Sequence, residues 1–162
     1  MVYKINKKGF TLMELIVTVI LVAILASYAV YHYTNVMDEG KVNGAKGKLA
    51  ALGGATARFI LENGTPENFA GPSTDEQLIS NLDLNDPCDT NKIAGVFTCG
   101  YAGKNVGFDS NFEFTFADKP CGSSEGAVRV MMKPNSDNED NSNFPKCAYF
   151  NPDFDNVIEV NE

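Results

Sequence analysis

Histidine is almost absent from this chain of 162 residues; His32 is the single one. That leaves no room for a multi-His metal site and argues against His-based catalysis. No Gly-x-Ser-x-Gly, Gly-rich phosphate loop or His-Glu-x-x-His is present, and a lone His at the end of an apolar run makes no Cys–His pair. Carboxylates are too numerous for any one pair to stand out, so the reading is that the chain is not an enzyme. Basic residues are scarce where a nucleic-acid binder would need them. Residues 62–162 hold six against 18 acids, a net of −12, and phosphate contacts require clustered Lys and Arg. Cys-x-x-Cys is also missing, which leaves a tetrahedral zinc site poorly supported. Apolar content is ample: 44% of residues are hydrophobic and 11 are Phe, which excludes global disorder. The length fits one domain, or one domain plus an appendage.

Charge is also nearly absent from Phe10 to Tyr33, where Glu14 is the only formally charged side chain. At a helical rise of about 1.5 Å these residues span roughly 36 Å, enough for a bilayer core of about 30 Å. Lys4, Lys7 and Lys8 precede the run and no Lys or Arg follows until Lys41. By the positive-inside rule the leader is cytoplasmic and the remainder lies beyond the inner face. A plain signal anchor, or a secretory signal cut near Ala26-Ser27-Tyr28-Ala29, would account for the apolar run. Neither accounts for Glu14. An acid within a spanning helix costs about 2.5–3.5 kcal/mol on insertion scales and calls for a partner. His32 is about 27 Å up the helix, so the chain itself offers no evident one.

Lys8-Gly-Phe-Thr-Leu-Met-Glu-Leu15 resembles the class III signal of type IV pilins and of the pseudopilins of type II secretion. The resemblance implies cleavage by a membrane-embedded prepilin peptidase between Gly9 and Phe10, and N-methylation of the new Phe10 terminus. It also implies that Glu14, five residues into the mature chain, sets the axial register between subunits. The chemistry is consistent with this. Cleavage removes +3 of side-chain charge and creates an ammonium at Phe10, which is i to Glu14's i+4. A buried ammonium–carboxylate pair between subunits would satisfy both groups and specify register more than it adds stability. Where many members of the family carry Gly and Pro in the apolar helix, this chain has Ala23 and Tyr31, so nothing forces a break before residue 40.

Beyond the apolar run, Val42, Ala45, Leu49, Leu52, Thr56 and Phe59 recur every three or four residues, a stripe that predicts burial against a sheet. Asn63-Gly64 followed by Pro66 is a stop signal. The expectation is one helix from about Phe10 to Asn63, with a flexible stretch at Asp38–Gly47 where Gly40, Gly44 and Gly47 cluster. Those glycines serve either a bendable spine or close packing against the head. Residues 65–92 are turn-rich, with one short helical candidate at Thr74–Leu82. In the family such a segment is the outward-facing αβ loop. Strands are expected at Ala94–Thr98, Asn111–Ala117, Ala127–Lys133, Lys146–Phe150 and Asn156–Val160. In the second of these, Phe112, Phe114 and Phe116 share one face and Glu113 and Thr115 the other; in the third, Val128, Val130 and Met132 oppose Arg129 and Lys133.

The four cysteines, Cys88, Cys99, Cys121 and Cys147, allow three pairings. Cys88–Cys99 with Cys121–Cys147 is the favoured set, each closing a polar loop beside a strand in an oxidising compartment. Asn135–Asn143 and Asn151–Asp155 are oxygen-rich loops that calcium could use, and some pseudopilins bind it in the head. Neither has EF-hand spacing, so solvated turns are the simpler reading and no cofactor or metal ligand is expected.

Taken with the resemblance, the fold expected is α+β and type IV pilin-like: a long N-terminal helix, transmembrane then amphipathic, packed on an antiparallel sheet. The divisions are a leader at 1–9, a transmembrane and filament-core helix at 10–33, an amphipathic helix at 34–63, and a head at 64–162 with a disulfide-bounded C-terminal region. The implied function is that of a filament subunit of a type IV pilus or like structure. A pseudopilin of a type II secretion system is the alternative, and a ligand-binding tip subunit for adhesion or DNA uptake is the rival of another class. Implied partners are other pilin subunits, prepilin peptidase and an inner-membrane assembly platform, with no nucleic acid. The implied location is the bacterial inner membrane with a periplasmic head, then a periplasmic or surface filament.

Overall fold

The protein is described by a computed structural model at residues 9–66, 77–122, 128–151 and 156–160. It has two compact units, Met1–Met37 and Asp38–Glu162, and each is treated by itself. Helix α1, Leu12–Asn63, contributes to both. Helical structure begins at Leu12 rather than Phe10 because Thr11 acts as the N-cap, leaving Phe10 outside the first turn. The helix ends as its sequence dictates: Gly64 takes the left-handed conformation (φ 86°) and its N–H donates to the Ile60 carbonyl at 2.8 Å.

In the first unit the described residues from Gly9 to Thr34 are all exposed. No described residue of this unit covers Leu15, Ile16, Ile20 or Leu25, which are between 44% and 67% exposed. The hydroxyls of Thr18, Ser27 and Thr34 donate to the carbonyls of Leu15, Ile24 and Tyr31, three residues back, at 2.8–2.9 Å. The run's few polar side chains are thereby satisfied within their own helix, and its outer surface stays apolar.

In the second unit the expected stripe is the buried face of α1: Val42, Ala45, Leu49, Leu52, Thr56 and Phe59 are at most 7% exposed. They pack on a five-stranded antiparallel sheet of order β1-β2-β3-β4-β5. Its strands are β1 Gln77–Leu78, β2 Phe112–Ala117, β3 Arg129–Pro134, β4 Cys147–Asn151 and β5 Asn156–Val160. Phe112, Phe114 and Phe116 pair with Pro134, Met132 and Val130, which places the phenylalanine row on the helix side with Ala148 and Phe150. Asp38–Gly47 is helical throughout. A Cβ at Gly40, Gly44, Gly47 or Gly54 would meet nothing within 4 Å, whereas one at Gly53 would lie 2.2 Å from the Phe150 ring. Close packing against the head therefore explains Gly53 alone among these five.

Several local expectations are corrected. Ala94–Thr98 is not a strand; Gly95–Thr98 forms a short helix, α2. Ile93, Val96 and Phe97 are all buried, and their spacing of three and four puts them on one side of a helical turn. The candidate helix at Thr74–Leu82 becomes β1 and a 3₁₀ turn at Ile79–Asn81, with residues 74–76 outside the described residues. Ile79 is fully buried, so the turn serves as a plug for the core. The outer face of the sheet is not solvated as simple alternation predicts. Thr115 and Arg129 are buried, and Ala117, Met131 and Cys147 form a second apolar cluster with Cys121, Tyr149 and Val160. Asn135–Asn143 is a run of turns, while residues 152–155 of the other acidic loop lie outside the described residues.

Candidate assembly site at the N-terminal helix

The site begins with Gly9 and Phe10, both exposed and both ahead of the first helical turn. Phe10 is 80% exposed. Lys4, Lys7 and Lys8 lie outside the described residues. Four residues on from Phe10 stands Glu14, and its surroundings overturn the expectation that its own chain holds no evident partner. The Glu14 N–H donates to Thr11 Oγ1 at 3.3 Å. In return Glu14 Oε2 accepts from the Thr11 N–H at 3.5 Å and from Thr11 Oγ1 at 3.4 Å. Thr11-Leu-Met-Glu14 is thus a reciprocal capping box, a Thr followed three residues later by Glu, with long contacts. The Thr-x-x-Glu spacing is the sequence signal for it, and the partner is a backbone donor three residues away rather than a counter-charge.

The geometry allows the carboxylate two uses. It offsets the open N–H groups and positive end of α1. Glu14 also remains exposed, so the carboxylate is open to accept from a cation brought by another chain. The far end of the apolar run carries Tyr28, Tyr31, His32 and Tyr33. The His32 ring lies 4.4 Å from the Tyr28 ring and 5.8 Å from that of Tyr31. Amphipathic aromatics at that depth suit a membrane–water boundary.

The disulfide sites are in the second unit. Cys88 is bonded to Cys99, with Cα atoms 4.6 Å apart, and Cys121 to Cys147, with Cα atoms 5.8 Å apart. The first closes the loop that ends in α2, and the second anchors the segment after β2 to the start of β4. Tyr101, just beyond α2, stacks edge-on against Phe59, and its hydroxyl donates to Glu62 at 2.5 Å. The end of α1 is fastened there to the disulfide-closed segment.

Two carboxylates fix further parts of the head to α1. Asp38 accepts from Lys41 Nζ at 2.8 Å and from the side-chain amides of Asn141 and Asn143 at 3.3 Å. These bonds, that from Lys41 foremost, hold its carboxyl below the ordinary value of 3.8. Asp109 pairs with Lys48 at 2.7 Å. Burial pushes the Asp109 carboxyl up, but the Lys48 ammonium and the Asn111 N–H outweigh it, so the net direction is down. In the Asn135–Asn143 loop, Asn135 and Asn138 bond to one another, and Asn135 also donates to the Ser110 carbonyl. No group of three or more His, Cys, Asp or Glu is placed to hold a metal among the described residues.

Residues 4–30 match the model of the prokaryotic N-terminal methylation motif, so the chain carries a class III prepilin signal. Beyond the motif, it is similar to a protein named type II secretion system core protein G from Pseudomonas aeruginosa, with 38% identity over 73 residues. That alignment covers 45% of this chain and 48% of the relative, so the chain spans about half the length of the curated relative it matches. No solved structure matches it.

Proposed function

We propose that the chain is the precursor of a structural subunit of a type IV pilin-like filament. Prepilin peptidase cuts it between Gly9 and Phe10 and methylates Phe10. An inner-membrane assembly machine then draws the mature subunit from the bilayer into a helical array. The observation that carries this reading is the N-terminal unit itself: a matched methylation motif opening onto a helix whose large apolar side chains have no cover in their own unit. Such a surface is tolerable only in lipid or against other apolar helices, and a heterologous contact that does not close builds a filament. Glu14 supplies register, changing its partner from Thr11 to the Phe10 ammonium of a neighbouring copy. The role is structural rather than catalytic.

The similarity to secretion protein G favours a second reading, a pseudopilin of a type II secretion system, which is chemically the same subunit in a different machine. Expression of the full chain with and without prepilin peptidase tests the shared claim. Loss of residues 1–9 and recovery of sheared filaments only with the peptidase is the expected result; filaments without processing would contradict it. Neighbouring genes for secretion components against pilus retraction components would separate the two machines.

A further inference from the structure

The head presents two unlike surfaces at different levels of α1, and each keeps exposed charged groups without an ion pair among the described residues. Beside residues 39–46 lies an open groove of about 740 Å³ between α1 and the turns that lead into β4. Val42, Phe144 and Pro145 line its floor, but each is buried and shows the groove only an edge. The rim is acidic: Glu39, Glu139, Asp140 and Glu159 stand against Lys46 and Lys146. One of those lysines, Lys46, is already paired with Glu159. Glu39, Glu139 and Asp140 are exposed and make no ion pair among the described residues.

Near the end of α1, Leu61 projects an uncovered leucine. At 85% exposure it is more open than any other large apolar side chain among the described residues, those of the apolar run included. Arg58, one turn earlier on the same side, is exposed and likewise makes no ion pair among the described residues. A guanidinium beside an exposed leucine matches a groove whose rim sets four carboxylates against two lysines. One chain cannot make this contact with itself, because 19 helical residues, about 28 Å, separate Val42 from Leu61.

We propose that the Arg58–Leu61 turn of one copy seats in the groove beside residues 39–46 of another copy of this chain. Arg58 meets Glu139 and Asp140, and Leu61 covers the edges of Val42 and Phe144 that the groove leaves open. The two surfaces differ, so the contact is heterologous and repeats from copy to copy without closing, with a rise set by the length of α1 between them. The inference rests on the reading of the chain as a filament subunit and adds the head contact that would operate beyond the membrane.

The test uses the full-length chain in cells that hold a matching prepilin peptidase and assembly machinery, with sheared filament yield as readout. Arg58→Glu is expected to lower the yield about tenfold, and so is the pair Glu139→Lys with Asp140→Lys, since each places like charges in contact. All these positions are exposed, so melting temperatures of the purified variants should match the parent chain. Combining the three substitutions is expected to restore most of the yield. Parental yield from both partial variants, or failure of the combination to recover, would overturn the contact while leaving the subunit reading intact. If the parent chain forms no filaments, the underlying reading falls and this inference with it.

Discussion

One helix serves two regions under opposite rules. From Val42 to Phe59, α1 has a stripe that its own sheet covers, and Leu49, Leu52 and Phe59 are fully buried. From Leu12 to Met37, equally apolar side chains stand open within their unit. The contrast shows where the two halves find their free energy. The second half gains it on folding, at about 25 cal/mol per Å² of apolar surface removed from water. On the proposed reading, the first half gains it from lipid and then from neighbouring subunits. A substitution in the head should therefore be felt as stability, and one in the first turns as assembly.

The sharpest division comes from Glu14. Glu14→Ala is expected to leave cleavage largely intact and the melting temperature of the head unchanged, while filament incorporation falls by at least about tenfold, the scale of one lost charge-assisted contact. Normal filament levels in that variant would remove Glu14 from register. Thr11→Val, which breaks the capping box but retains the carboxylate, should cost less, about 1 kcal/mol of helix-end stability. Amide exchange of the first turn in detergent would measure it.

In the head the effects move to folding. Gly53→Leu should destabilise by about 3 kcal/mol or more, because its Cβ would lie 2.2 Å from the Phe150 ring. Gly54→Ala, one residue on and facing open space, should stabilise by up to about 1 kcal/mol. Heat denaturation of the two variants side by side reads both signs. Equal shifts would mean that β4 does not approach α1 at Gly53.

The smallest effect is in acid. Asp38 and Asp109 both have folded-state values below the ordinary 3.8. Their contributions are fully present above that value and are lost as pH falls through the lower folded-state value. Melting temperature should therefore drop as pH is taken below about 4, and Asp109→Asn should flatten part of that slope. An unchanged slope would show that the Lys48 pair does not hold the 108–111 turn to α1.

The two halves also differed in how far they could be read from sequence. The apolar run, the stripe from Val42 to Phe59 and the Phe112-Phe114-Phe116 row were legible because each repeats with a period that a single geometry explains. The Ala94–Thr98 segment was not, because four or five apolar residues fit a strand and a helical turn equally well. Arg129 and Thr115 read as solvated by alternation, but the second apolar cluster around Met131 makes the outer face a packed one. Gly53 could not be told from Gly54 by residue type; only the approach of Phe150 separates them. At the candidate site, Lys8 to Leu15 signals the motif directly, while Glu14's bond to Thr11 is hidden from a count of charges because its donor is a backbone N–H.

The central claim is that residues 1–9 are a temporary tag and that Phe10 begins the working subunit. Mass spectrometry of the N-terminal peptide, taken from protein made with its peptidase, tests this most directly. The account predicts a chain of 153 residues beginning with N-methyl-Phe10, with ten basic side chains against 21 acids. A chain that keeps Lys4, Lys7, Lys8 and Gly9 ahead of an unmodified Phe10 would contradict it.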